Sequence, residues 1–245
     1  MAAISKDNVW AVGSEYTNPL VEHWDGKSWQ VVNVPDSATL GYFGDYHPID
    51  DRLSAIKAFS ATDIYISGST LLEHWDGKSW HVLKRPVIGA SRLSVHSNKD
   101  IWVSDDAQGP DANAMAHWDG QQWQFYRLPY GTEQNHYTGG ILEMKPNDVW
   151  SVGSSDFVGV RDTEYPLIGH WNGQSWRRVN SPIPANNTGA LCGMAASSPG
   201  DIWVVGETAP QVSKKQRVSF QPLIEHWDGT SWKIVKSGTF SERDS

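Results

Sequence analysis

Cysteine is almost missing from this chain: Cys192 is the only one in 245 residues. That excludes an internal disulfide and any zinc site built on several thiolates. No run of about 18 apolar residues occurs, so no membrane span is expected, and the start, MAAISKDNVW, lacks both the basic and the apolar parts of a secretion signal. Basic residues are scarce as well. Lys and Arg number 20 against 28 Asp and Glu, a formal charge of −8, whereas a nucleic-acid surface needs clustered cations to displace counterions from phosphate. The one basic cluster, Lys214-Lys215-Gln216-Arg217, reads as a solvated loop tip, and no nucleic-acid partner is expected. Gly-rich phosphate cradles, H-E-x-x-H and G-x-S-x-G are also missing, so nucleotide, zinc-protease and serine-hydrolase chemistry have no support and no cofactor is implied. Helical periodicity with caps is not found anywhere.

What the chain does have is tryptophan, 14 of them, placed with regularity. Two anchors recur five times. The first reads DNVWAVG from Asp7, DIYISG from Asp63, DIWVS from Asp100, DVWSVG from Asp148 and DIWVVG from Asp201. The second reads HWDG or HWNG from His23, His74, His117, His170 and His226, with another tryptophan following. It contributes the pairs Trp24 and Trp29, Trp75 and Trp80, Trp118 and Trp123, Trp171 and Trp176, and Trp227 and Trp232; the other four tryptophans lie on the first anchor, where Tyr65 takes the fifth place. Internal repeats of this length signal stacked modules.

Within a unit, runs of Val, Ile, Trp and Tyr alternate with polar residues between Gly, Asp, Pro and Ser, as in LSAIKAFS, IYISG, LLEHW and KSWHVLKRP. These are four strands and three turns. Asp-Gly between apolar runs predicts a two-residue type I′ hairpin, pairing Trp24 with Lys27, His23 with Ser28 and Glu22 with Trp29. A sheet of this size cannot bury both faces alone, so the units must stack. Radial stacking makes an all-β, five-bladed β-propeller of four-stranded antiparallel blades, one domain over residues 1–245 with blades at about 1–35, 53–86, 93–129, 140–180 and 190–236. A tryptophan pair at each blade joint explains the repetition, since each buried indole contributes on the order of 4–6 kcal/mol of gross transfer free energy. The first inner strand, residues 1–5, is short, so ring closure calls on the tail 238–242, on missing blades or on self-association into a homo-oligomer. The opening residues fall almost inside a repeat, as expected of a fragment of something longer; the sequence leaves the compartment open, with a secreted or extracytoplasmic part of a larger protein as one reading.

These anchors resemble bacterial β-propeller repeats of the D-[IV]-W-x-V-G … H-W-D-G-x-S-W kind, similar in layout to kelch and Asp-box blades. The likeness runs from Asp7 to about Val235. The chain departs from kelch, whose second strand carries Gly-Gly, because its only such pair, Gly139-Gly140, precedes an inner strand. It departs from the Asp-box because Asp25 and Gly26 are adjacent. The resemblance implies a binding scaffold.

Labelling the strands a to d, the a–b and c–d turns are tight and repeat, whereas the d–a links (36–52, 87–92, 130–140, 181–189) and b–c links (14–19, 69–70, 105–113, 154–166, 207–222) vary in length and sequence. Ligands are expected where variation concentrates. That end carries Tyr42, Phe43, Tyr46, His47, Arg52, Arg92, Tyr130, His136, Tyr137, Phe157, Arg161 and Tyr165, rings and polar groups suited to carbohydrate, slightly preferred, or to a protein ligand. The five repeated histidines lie too far apart across blades to share a metal, so no metal site is expected. Each should hydrogen-bond Ser28, Ser79, Gln122, Ser175 or Ser231 across the strand, or the Asp of the a–b turn. The enzymatic alternative is a glycosidase or sialidase-like hydrolase, which needs two carboxylates. Its candidates are Glu143 on an inner strand and the rim acids Asp50, Asp51, Asp105, Asp106, Asp162 and Glu164, with Arg52, Arg92 and Arg161 answering a substrate carboxylate. The leaning is toward a non-catalytic binding module, and a purely structural assembly unit is the remaining reading.

Overall fold

A computed structural model describes residues 1–16, 18–35, 52–68, 71–83, 91–104, 114–129, 134–157, 164–211 and 219–237. Among them are twenty strands and no helix, hence no helix long and apolar enough to cross a membrane. The strands pair as five four-stranded antiparallel sheets, each in simple chain order, and the fold is an all-β, five-bladed β-propeller. The chain folds as two compact units, Met1–Arg127 and Leu128–Ser245.

The first unit holds three blades. They are β1 (Ala2–Ser5), β2 (Asn8–Glu15), β3 (Asn18–Trp24) and β4 (Trp29–Val31); β5 (Leu53–Ser60), β6 (Asp63–Gly68), β7 (Leu72–Trp75) and β8 (Trp80–Val82); and β9 (Arg92–Ser97), β10 (Asp100–Ser104), β11 (Ala114–Trp118) and β12 (Trp123–Arg127). Strand β5 lies against β1 and β2 on one side and β9 on the other. Between the first two blades, Trp10, Val21, Ile64, Ile66 and Trp80 form a buried cluster; between the second and third, Tyr65, Ile101, Val103 and Ala116 do so.

The second unit holds two blades. These are β13 (Gln134–Lys145), β14 (Asp148–Phe157), β15 (Glu164–Trp171) and β16 (Trp176–Val179), then β17 (Asn187–Ser198), β18 (Asp201–Pro210), β19 (Gln221–Trp227) and β20 (Trp232–Ile234). Their joint buries Trp150, Val152, Ile168, Ile202, Val204 and Trp232. The predicted indole pairs form in every blade, with centroids 5.5–6.0 Å apart. Burial is less complete than expected: Trp24, Trp75, Trp118, Trp123 and Trp227 are half-buried, and two indoles are exposed, Trp29 at 44% and Trp203 at 41%. Each of these two belongs to a terminal blade of its unit.

The Asp-Gly turn differs from the predicted register. Trp24 faces Trp29, His23 faces Gln30 and Glu22 faces Val31, so the loop has four residues, not two. Asp25 Oδ1 accepts the N–H groups of Lys27 at 2.8 Å and Ser28 at 2.9 Å, and the Asp25 N–H donates to Ser28 O. A type I′ turn needs positive φ at both central residues; here only Gly26 has it, at 93°. The side-chain cap replaces the tight hairpin, as Asn and Asp do when they bond backbone two residues on. Because the shift is two residues, the indole pair stays on one face.

The glycine ending the first anchor has a different cause. A Cβ on Gly68, Gly153 or Gly206 would sit 1.9–2.0 Å from a carbonyl oxygen in the first strand or, at Gly68, of Arg52 just before it. The pairing register of that strand shifts close by in each of these blades, as at a β-bulge. The long links are also shorter than predicted. Residues 134–140, 154–157, 164–166, 187–189, 207–210 and 221–222 belong to strands β13–β15 and β17–β19, whose ladders run on past the bulge.

Candidate functional site

The repeated polar residues are engaged inside their own blades. Each histidine Nε2 meets the residue that opens the second strand: His74 with Asp63 at 2.8 Å, His117 with Asp100 at 2.6 Å, His170 with Asp148 at 2.8 Å and His226 with Asp201 at 2.7 Å. In the first blade the partner of His23 is Asn8, at 3.0 Å, so the anchor there begins at Asn8 and not at Asp7. The turn acid is thus the partner, and the cross-strand Ser or Gln positions are not. Each imidazole also stacks on the second-strand aromatic, 4.2–4.4 Å between centroids. Trp10, Trp150 and Trp203 donate their indole N–H to the same Asn8, Asp148 and Asp201 oxygens. With a carboxylate or amide oxygen as acceptor, Nε2 carries the proton, which fixes the tautomer and the orientation of each ring. Among the described residues no group of three or more His, Cys, Asp or Glu side chains comes together as metal ligands would.

The c–d turn carboxylates are likewise committed. Asp25, Asp76 and Asp119 are held below the usual carboxylate range, chiefly by the N–H three residues on, and Asp228 chiefly by the Lys233 ammonium. Asn172 fills the same place in the fourth blade with both bonds at 3.0 Å, so the turn needs an acceptor oxygen rather than a charge.

Of the residues predicted for ligand binding, Tyr42, Phe43, Tyr46, His47, Tyr130 and Arg161 lie outside the described residues, as do Asp50, Asp51, Asp105, Asp106, Asp162 and the tail 238–242. Arg52 and Arg92 stand at the long-link end of neighbouring first strands in the first unit, Arg92 donating to the Ser91 carbonyl at 3.0 Å. In the second unit, His136 faces Ser155 and Ser155 faces Tyr165, so one row across three strands carries both predicted rings. His136 is strand, not loop, and 4% exposed. Tyr137 lies on the neighbouring row, facing Ser154, and the Tyr165 hydroxyl accepts from Gln211 at 3.2 Å. Both carboxylate oxygens of Glu143 are shielded from solvent.

A cleft that the predicted residues do not include lies in the first unit, at the tight-turn end of the joint between its second and third blades. Its volume is about 270 Å³, and Tyr65, His74, Leu83, Asn98, Trp118 and Trp123 line it. A polar groove of about 540 Å³ adjoins it, sharing Tyr65, His74 and Asn98 and adding Ser60, Thr62 and Ser97 from two a–b turns. The Tyr65 hydroxyl is pushed up to about 12 by burial and then by Asp63, to which it hydrogen-bonds. It stays a neutral donor at physiological pH. The signal for this cleft was in the sequence: at the aromatic position of the first anchor, Tyr65 is the one residue that is not tryptophan.

No protein-family model matches the chain, and no curated protein matches it. Among solved structures, the chain is similar to YCF48 bound to D1 peptide, at 16% identity and a TM-score of 0.57, over 93% of this chain and 63% of that one. The extracellular domain of BT4673 from B. thetaiotaomicron gives 9% identity and a TM-score of 0.47, over 96% of this chain and 34% of that one. The chain thus spans less than two thirds of the length of each. The likeness to YCF48 carries the fold, and the fold it carries is the β-propeller.

Proposed function

We propose that the chain is a non-catalytic β-propeller binding module whose ligand is a segment of another protein. The observation behind it is the fate of the repeated polar groups. Every histidine and every turn Asp or Asn of the second anchor is engaged within its own blade, so the chemistry that varies from blade to blade is what remains for recognition. A hydrolase needs two carboxylates flanking the scissile bond, and Glu143 is the one inner-strand candidate, its carboxylate oxygens shielded from solvent. A protein segment is favoured over carbohydrate by the fold relative bound to a D1 peptide and by an aromatic cleft set beside a polar groove, which suits a side chain and its backbone. The test is a peptide library and a glycan array probed with the same purified chain, alongside fluorogenic glycosides. Saturable peptide binding without turnover is expected. Glycan binding with no peptide binding would overturn the choice of ligand, and glycoside turnover the non-catalytic reading.

A further inference from the structure

Three joints of the chain can be laid side by side, and one is built differently. In the first blade Trp10 reaches the next blade's pair, 5.9 Å from Trp75 and 6.1 Å from Trp80. In the fourth, Trp150 reaches its neighbour's pair, 5.1 Å from Trp227 and 5.6 Å from Trp232. In the second blade the position is Tyr65. Its phenol stacks on His74 at 4.4 Å and bonds Asp63, as the indoles do with their own histidine and Asp or Asn, so the ring starts from the same place. It then ends one fused ring short. The space left over faces Trp118 and Trp123, and the cleft lies there.

We propose that this cleft binds the indole of a tryptophan side chain carried by a peptide segment, which occupies from outside the place that Trp10 and Trp150 fill from within. Size agrees: an apolar cavity of about 150 Å³ accepts a benzene ring, and about 270 Å³ leaves room for a bicyclic one. Shape and chemistry agree too. Trp118 and Trp123 offer ring faces and edges for offset or edge-to-face packing, and the Asn98 amide on the rim offers an oxygen to the incoming indole N–H. The adjoining groove carries the Ser60, Thr62 and Ser97 hydroxyls, acceptors and donors for the peptide backbone on either side of an anchored ring. The source of the indole rests on the peptide-binding reading above, whereas the preference of the cleft for an indole rests on the joint comparison alone.

The experiment titrates N-acetyl-L-tryptophanamide, free indole and N-acetyl-L-tyrosinamide into the full chain, with affinity read from chemical-shift changes. The amide of tryptophan is expected to bind saturably, and about tenfold more tightly than the tyrosine amide. Tyr65→Trp should rebuild the joint seen at Trp10, raise the melting temperature and remove the binding. Asn98→Ala, a change at an exposed turn residue that leaves the apolar walls intact, should weaken binding about fivefold through loss of one hydrogen bond. No saturable binding, or binding unchanged in both variants, overturns the site. Free indole binding as tightly as the tryptophan amide overturns the peptide source but keeps the indole site, so the two failures are distinguishable.

Discussion

Replacing Trp80 and Trp29 by alanine, one at a time, measures whether the indoles hold the blades together. Both belong to the first unit, so one unfolding transition reports both. Trp80 is 9% exposed and touches Trp10 across the joint as well as Trp75 in its own blade; Trp29 is 44% exposed and has Trp24 at 5.9 Å. A buried indole removes roughly 150–250 Å² from water, which at about 25 cal/mol per Å² gives about 4–6 kcal/mol of gross transfer. Relaxation around the truncated side chain brings the expected cost of Trp80→Ala to about 4 kcal/mol. Trp29, with nearly half its surface already wet, should cost about 2 kcal/mol. The difference corresponds to roughly 4–8 °C in melting temperature. Urea titration followed by near-UV circular dichroism gives both free energies, and calorimetry the temperatures. Equal losses for the two variants would refute the reasoning, because the blade-to-blade contact would then contribute nothing beyond the hairpin.

The remaining predictions concern the turns and the buried acids. Changing Asp25, Asp76, Asp119 and Asp228 together to Asn should keep the fold, since Asn172 already makes the same two bonds. It should also flatten the acid limb of stability: these carboxylates have depressed folded-state pKa values, so their contribution is present above the unfolded value and is lost as pH falls through the folded one. Urea midpoints between pH 7 and pH 2 check it. Gly153→Ala should cost more than about 2 kcal/mol, because its Cβ would meet the Tyr137 carbonyl oxygen at 1.9 Å. The same change at Gly13, where nothing lies within 4 Å, should cost little, and thermal melts separate the two. Glu225 is fully buried, accepts the Ser181 hydroxyl at 2.5 Å and has its carboxyl raised by burial. Its folded pKa lies above the unfolded one, so wild-type stability should fall as pH rises through that window. Glu225→Gln should remove that fall, as pH-dependent urea midpoints of the two proteins will show.

The anchors made the five sheets and their strand order legible without coordinates. Alternation at period two and the repeated turn residues are local properties of the chain, and the indole pairs followed from their parity along it. Parity also survived the error in the turn: a loop of four residues rather than two moves Trp24 opposite Trp29 and leaves both on the same side. The four-residue loop was hidden because Asp-Gly has two uses, and only the carboxylate's reach to the N–H groups of Lys27 and Ser28 selects between them. The long-link end is less legible. His136 and Tyr137 lie in strand rather than loop because the long β13–β14 ladder is specified by pairing partners some 20 positions away, which no local pattern displays.

By itself, then, the amino-acid order settled the outline of each blade, four strands in chain order with a pair of indoles on one face, while the cap of the turn and the partner of the histidine came from the structure. Tertiary structure alone decided what happens between blades, because packing across a joint depends on side chains far apart in sequence meeting at van der Waals distance. Trp10 finds Trp75 and Trp80 in that way. Tyr65, one ring smaller, leaves open the space where Trp118 and Trp123 wait.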